Sequence, residues 1–307
     1  MYVEIDSRRT RGTMKQHFPN RKQLASQAAE VAMRERQLAG YKPWNPVCIY
    51  DFVAESCSIE VRFMNLPSME GMYIRKNPEP LILISSLRPP GRQAYTCAHE
   101  LGHHVFGHGV RIDEHLLETS SKNTFEPEEF LADCFAGFML MPRSAVSKAF
   151  AVRGWSIDSC KPIQCYTVAD WLGVGYTTLI NHMNTTLKLI SPFQAKELSK
   201  LSPKQIRSSY LGRDVAEELV IVDEHWIERS IDIQVGDFIF LPANVQNEGE
   251  NIQLYQQGTE GTLYCGITPG IGRLYNPDTG WSSFVRVSRR DYTGRSIFRH
   301  LEESNDE

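Results

Sequence analysis

No apolar run in this 307-residue chain reaches the ~18–20 residues needed to cross a bilayer. The opening segment, Met1–Asp6, lacks the charged-then-apolar pattern of a secretory signal. With neither feature, the protein is expected to stay in the cytoplasm and off the membrane. No excess of charge stands out either. There are 33 basic and 37 acidic residues, for a formal net charge of −4. That balance argues against a dedicated nucleic-acid coat or a membrane-surface protein. Arg8, Arg9 and Arg11 form a local basic run, read as a solvated, mobile end. The seven cysteines are an odd number, and none form a Cys-x-x-Cys pair. Reduced thiols in a reducing compartment fit this usage. Cys160 and Cys165 stand closest, but no Cys or His partner follows at zinc-finger spacing. Internal repeats and long low-complexity stretches are also missing.

The composition that remains is that of a folded protein. Apolar residues make up 41% and charged residues 23% of a chain long enough to bury a sizeable core. The length suggests about two domains.

Residues 21–39 read as a helix that ends at Gly40. Asn45-Pro46 could open a second helix through about Ser56, with Asn as cap and Pro at the first position. Ile59–Met64 and Leu81–Ile84 read as strands, and Met72–Arg75 as a weaker one. After the turn Arg88–Gly91, a helix is expected from Arg92 to Phe106, closed near Gly107 or Gly109. A polar loop follows. Glu126–Glu129 then starts a helix that stops before Pro142, its Pro and carboxylates suiting a first turn. Residues 166–190 suggest two short helices joined by Leu172–Gly175. Two more, Pro192–Lys200 and Pro203–Leu211, each open with a Ser-Pro pair. From Leu219 on, β-branched and alternating runs such as Val220–Val222, Phe238–Leu241 and Phe284–Val287 predict a β-rich C-terminal domain.

The chemistry lies in Cys97-Ala98-His99-Glu100-Leu101-Gly102-His103-His104. Helical residues four apart point nearly the same way, so His99 and His103 can offer two imidazoles to one metal ion. Glu100, one step round, can take a proton from an attacking water without ligating the metal. Two neutral nitrogen ligands, an open position and a nearby carboxylate are what zinc-dependent hydrolysis needs. A metzincin continuation fails, because position 106 is Phe and position 109 is Gly. The next expected helix carries Glu129-Phe130-Leu131-Ala132-Asp133. Glu129 would be the third ligand. Asp133, one turn on, would reach the second ring nitrogen of a ligand histidine and fix its tautomer. Glu128 is the rival ligand, but it has Ala132 four residues on where Glu129 has Asp133. His104 and His108 are also four apart. His108 is read as capping or packing the helix end, and Cys97 as a packed thiol. Tyr73, Tyr95 and His182 are the weak candidates for steadying an oxyanion.

Residues from about 46 to 190 resemble the ImmA/IrrE family of metallopeptidases. The resemblance is carried by Glu70-Gly71-Met72-Tyr73, Pro80–Ile84, Arg92–His103, Glu129–Ala136 and Leu140-Met141-Pro142. It implies a mainly helical, zincin-like (gluzincin-like) peptidase core with a small β-sheet, then a helix-turn-helix-like segment; with the β-rich C-terminal domain read from the strand pattern, which does not match the family's sensor-bearing member, the fold expected is α+β. The domains expected are 1–45, a helical extension; 46–160, the peptidase core; 161–190, the helix-turn-helix-like segment; and 191–307, of unknown role. The resemblance gives the same site: one Zn2+ per chain on His99, His103 and Glu129, with Glu100 as the catalytic acid/base. It implies, as substrate, a DNA-binding helix-turn-helix repressor of the XRE type, cleaved in a stress, phage or mobile-element response. Direct nucleic-acid binding is not expected, since the second helix of the 161–190 segment offers only His182 and Lys188 as positive groups. The competing reading is a toxin–antitoxin or regulatory binding component with a non-catalytic metal site. The presence of Glu100 argues against it, because a structural site has no use for that carboxylate.

Overall fold

The computed structural model describes residues 20–75, 79–109, 111–114, 125–227 and 229–301. The basic run at Arg8, Arg9 and Arg11 lies outside them. Helix α1 (Arg21–Leu38) starts at a capping box. The Asn20 side chain accepts from Lys22 N–H at 3.1 Å, and Gln23 reaches back to the Asn20 N–H at 3.2 Å. Its buried positions, Leu24, Ala28, Ala32 and Arg36, recur every fourth residue. This mostly small stripe lets α1 lie along helix α4 (Pro127–Leu140).

Arg36 of α1 is fully buried. Its guanidinium donates to the Met139 carbonyl at 2.6 Å and also to the Asn45 carbonyl. Burial lowers its pKa to about 10. This contact corrects the expected second helix. Asn45 does not cap it; helix α2 begins only at Ile49 and runs to Ser56.

Strands β1 (Glu60–Met64), β2 (Met69–Ile74) and β3 (Leu81–Ser85) form where strands are expected. Their sheet has two further members the sequence did not announce. β4 (Arg111–Glu114) forms inside the expected polar loop, and a two-residue strand, Gly294–Arg295, arrives from the far C-terminal end of the chain. The order is Gly294–Arg295, β1, β3, β2, β4, with β1 and β3 parallel. Helix α3 (Pro90–Val105) packs on β2 and β3 and against α4.

Helix α5 (Arg143–Val152) leads to α6 (Pro162–Leu172) and α7 (Tyr176–Asn181). The second helix of this pair stops short of residue 190, where the sequence pattern carried it. It passes into a π-helical turn, His182–Thr186, where the Thr185 hydroxyl donates back to the Asn181 carbonyl at 2.7 Å. Helices α8 (Pro192–Leu198) and α9 (Pro203–Leu211) are capped by Ser191 and Ser202 as their Ser-Pro starts predict.

The C-terminal part holds β5 (Leu219–Ile221), β6 (Ile231–Gln234), β7 (Phe238–Pro242), β8 (Gln246–Glu248), β9 (Ile252–Gln257), β10 (Gly261–Gly266), β11 (Gly270–Tyr275) and β12 (Ser282–Ser288). They make two four-stranded sheets, ordered β5-β7-β10-β9 and β6-β12-β11-β8. The Gly294–Arg295 strand that pairs with β1 is β13. The architecture is α+β. Its buried apolar residues form one cluster from Leu24 in α1 to Val287 in β12. No described helix is long and apolar enough to cross a membrane.

Candidate metal centre

Two helices build this site, and small residues bring them together. A Cβ on Gly102 of α3 would stand 3.0 Å from the Ala132 Cα of α4, so the helices touch backbone to backbone there. One turn from this contact, α3 presents His99 and His103 and α4 presents Glu129.

The three side chains converge. His99 Nε2 and His103 Nε2 lie 3.0 Å apart. Glu129 Oε2 is 3.3 Å from the first and 3.5 Å from the second. Tetrahedral zinc with bonds of about 2.0–2.1 Å needs its ligand atoms about 3.3 Å apart. The triangle therefore has the size and donor set of a zinc site, and these are the residues that could hold a metal among those described. The His103 imidazole, then that of His99, holds the Glu129 carboxyl well below the usual carboxylate range, against the opposing effect of burial. Glu129 therefore offers an anion at neutral pH.

Each histidine is held from behind. His99 Nδ1 faces Asp133 Oδ1 at 3.0 Å. A carboxylate only accepts, so the proton sits on Nδ1 and the Nε2 lone pair is turned toward Glu129. His103 Nδ1 meets His108 Nδ1 at 2.9 Å. The helix end makes that contact. Gly107 takes φ +69°, and the His108 N–H then donates to the His103 carbonyl at 2.9 Å, folding the chain back so that His108 lies beside His103. Beyond the capping or packing role expected from its place at the helix end, His108 thus grips a ligand histidine. The Gly four residues beyond His103 was the available signal, because a left-handed turn at a helix end returns the next side chain to the last turn.

Glu100 is fully buried. Its carboxylate lies toward β2: a Cβ on Gly71 would stand 3.3 Å from Oε1. His103 is also fully buried, whereas the Glu129 and Asp133 side chains are 31% and 60% exposed. The exposed side chains of the site are thus those carried by α4.

The other candidates take different places. Cys97 is buried in the core, where desolvation drives its thiol pKa up, as befits a packed thiol. The Tyr73 hydroxyl is 2.9 Å from His104 Nδ1, with the two rings edge to face. The Tyr95 hydroxyl donates to the Asp133 carbonyl at 3.0 Å. His182 is buried and donates from Nε2 to the Met141 carbonyl at 3.0 Å. All three oxyanion candidates are therefore engaged elsewhere. Cys160 and Cys165 are free thiols whose sulfurs lie 3.4 Å apart, and neither joins a metal-ligand cluster among the described residues.

Comparison with curated proteins gives no match. Among solved structures, a Mycobacterium tuberculosis transcriptional regulator is similar with a TM-score of 0.33 and 16% identity, over 54% of this chain and 52% of that one. This chain thus spans about half the length of that regulator. Residues 54–184 match the model of the Peptidase M78 family, the IrrE N-terminal-like domain, and the matched segment contains the whole of α3 and α4 with every ligand candidate. Over those residues the chain is similar to the ImmA/IrrE family, in agreement with the resemblance carried by its motifs.

Proposed function

We propose that this protein is a zinc-dependent endopeptidase whose substrate is a helix-turn-helix repressor of the XRE type, cleaved to relieve repression. The convergence of His99, His103 and Glu129 on one point, with Glu100 on the same helix, carries the enzymatic part of the reading. The family resemblance supports the repressor as substrate class. His99, His103 and Glu129 would hold the zinc ion, which when bound would supply Lewis acidity for the scissile carbonyl and the attacking water. Glu100 accepts the proton of that water and returns it to the leaving amine. Asp133 and His108 keep the two imidazoles in the tautomers that turn Nε2 toward the metal. Glu129 completes the ligand set from α4 and adds the one negative charge.

The test is Glu100→Gln beside the wild type, with metal measured by elemental analysis and with cleavage of a co-expressed candidate repressor. Both proteins are expected to carry one zinc per chain. The variant is expected to lose about 10²–10⁴-fold in cleavage rate, the range of a general base. Zinc in both with equal cleavage would remove Glu100 from the chemistry, and zinc in both with no cleavage by either would favour a binding role for the site.

A further inference from the structure

A cavity of about 730 Å³ opens between the start of α3, helices α6, α7 and α9, and strands β5 and β6. None of the metal-ligand candidates lines it. Its walls carry Tyr95, Tyr166, Tyr176 and Trp226, so much of the surface is aromatic. Most charged side chains on the wall are neutralised by an ion-pair partner. Arg92 pairs with Glu70 at 2.7 Å, Lys204 with Asp214 at 2.9 Å and Arg207 with Glu218 at 2.8 Å. Asp232 pairs with Arg286 at 2.6 Å and Asp237 with Arg290 at 2.7 Å.

Arg229 and Asp170 are the exceptions. The Arg229 guanidinium lies over the Trp226 ring at 5.2 Å. Its Nη1 is buried with no hydrogen-bond partner among the described residues. Asp170 accepts the Ile221 N–H at 2.9 Å, and burial pushes its carboxyl well above the ordinary range, toward the uncharged form. It therefore makes a poor counter-ion for Arg229. Asp232 is the other carboxylate that acts on Arg229, but Arg286 grips it at 2.6 Å and Arg299 lies 3.6 Å from it. A buried cation whose nearby carboxylate is shared with two other guanidiniums is under-compensated, and an aromatic platform that fixes a planar guanidinium prepares it for a two-oxygen acceptor.

We propose that this cavity is a binding site for a small organic anion, a carboxylate or phosphate on an aromatic or apolar body, with Arg229 as its charge partner. The volume falls within the usual range of small-molecule sites, about 300–1,000 Å³. The cavity also reaches Tyr95, whose hydroxyl holds the Asp133 carbonyl, so an occupant would sit one side chain away from the support of His99.

The test uses the full chain and two probes, phenyl phosphate and benzoate, with phenol as the uncharged control, all by isothermal titration calorimetry. Saturable binding of one probe by wild type, at least tenfold tighter than phenol, is expected. Preference for phenyl phosphate assigns the site to phosphates, and preference for benzoate to carboxylates. Arg229→Gln is expected to weaken binding at least tenfold, while Arg273→Gln, on an exposed pair with Glu248, leaves it unchanged. Absence of saturation by both probes, phenol binding as tightly as they do, or a folded Arg229→Gln protein binding like wild type would each overturn the proposal. The phenol comparison needs no variant, so a poorly folding Arg229→Gln leaves the proposal decidable.

Discussion

The metal centre and the seam between α2 and the C-terminal strands both gather ionisable side chains, and they do it to opposite ends. At the seam, charges cancel. Arg286 grips Asp232 with two nitrogens, at 2.6 and 2.7 Å, and reaches Asp51 of α2 at 2.8 Å. Arg299 adds contacts of 3.3 Å to Asp51 and 3.6 Å to Asp232. Burial pushes Asp232 up, but Arg299 and Arg286 together outweigh it and leave the carboxyl well below its ordinary range. At the metal centre, lone pairs converge instead. Two imidazole nitrogens and a carboxylate oxygen face one point without a guanidinium or ammonium among them. The seam is built to hold two parts of the chain together, whereas the centre is built to hold a cation.

Breaking the seam should therefore cost stability and spare the metal. Asp232→Ala leaves Arg286 and Arg299 sharing one carboxylate, Asp51. The expected loss is about 2–4 kcal/mol, toward the lower part of the cost of opening a buried ion cluster because the Asp232 side chain is 34% exposed. Urea unfolding measures the loss, and elemental analysis should show an unchanged metal content. A fall in metal content equal to that of a ligand variant would show that the two regions are one unit.

This difference also decides what could be read beforehand. His99 and His103 lie on one turn of one helix, and helical geometry alone aligns them. Glu129 and Asp133 repeat the same four-residue spacing on the next helix, so the centre needs only one long-range fact, the contact of Gly102 with Ala132. The seam has no local period. Asp51 and Arg286 are 235 residues apart, and nothing near either residue announces the other. Helix starts with Ser-Pro or Pro signals were legible, because caps are local chemistry. The start of α2 was not, because Arg36, a residue of another helix, holds the Asn45 carbonyl. β13 was hidden for the same reason: its pairing partner β1 is on the other side of the chain.

A third use of an ionisable group sharpens the contrast. His182 neither ligates nor pairs; it is buried as a neutral donor, and desolvation lowers its pKa to about 4. An exposed imidazole titrates near ~6.5. As pH falls, the unfolded chain takes up the proton first, so this contribution is complete above about pH 6.5, declines below it, and levels off below about pH 4. The loss by pH 4.5 is about 2.5 kcal/mol. In His182→Gln, which keeps a donor for the Met141 carbonyl, the unfolding free energies from urea titration at pH 7 and pH 4.5 should differ less than in wild type by that amount. An unchanged difference would place the acid sensitivity in other groups.

The smallest effects separate the two supports behind the ligands. Asp133→Asn keeps the shape but loses the charge that fixes the proton on His99 Nδ1. Zinc affinity, measured by competition with a chelator, should fall about 10–100-fold. The fold should not notice, since this side chain is 60% exposed. His108→Ala removes the partner of His103 Nδ1, but the ring it leaves is packed deep between α3 and α4 and cannot turn freely. A loss of about tenfold is expected, at the low end of what such supports contribute. If His108→Ala costs more affinity than Asp133→Asn, the buried imidazole pair orients the metal and the exposed carboxylate only tunes it; the α3 turn at Gly107, rather than α4, would then be the element that sets the site.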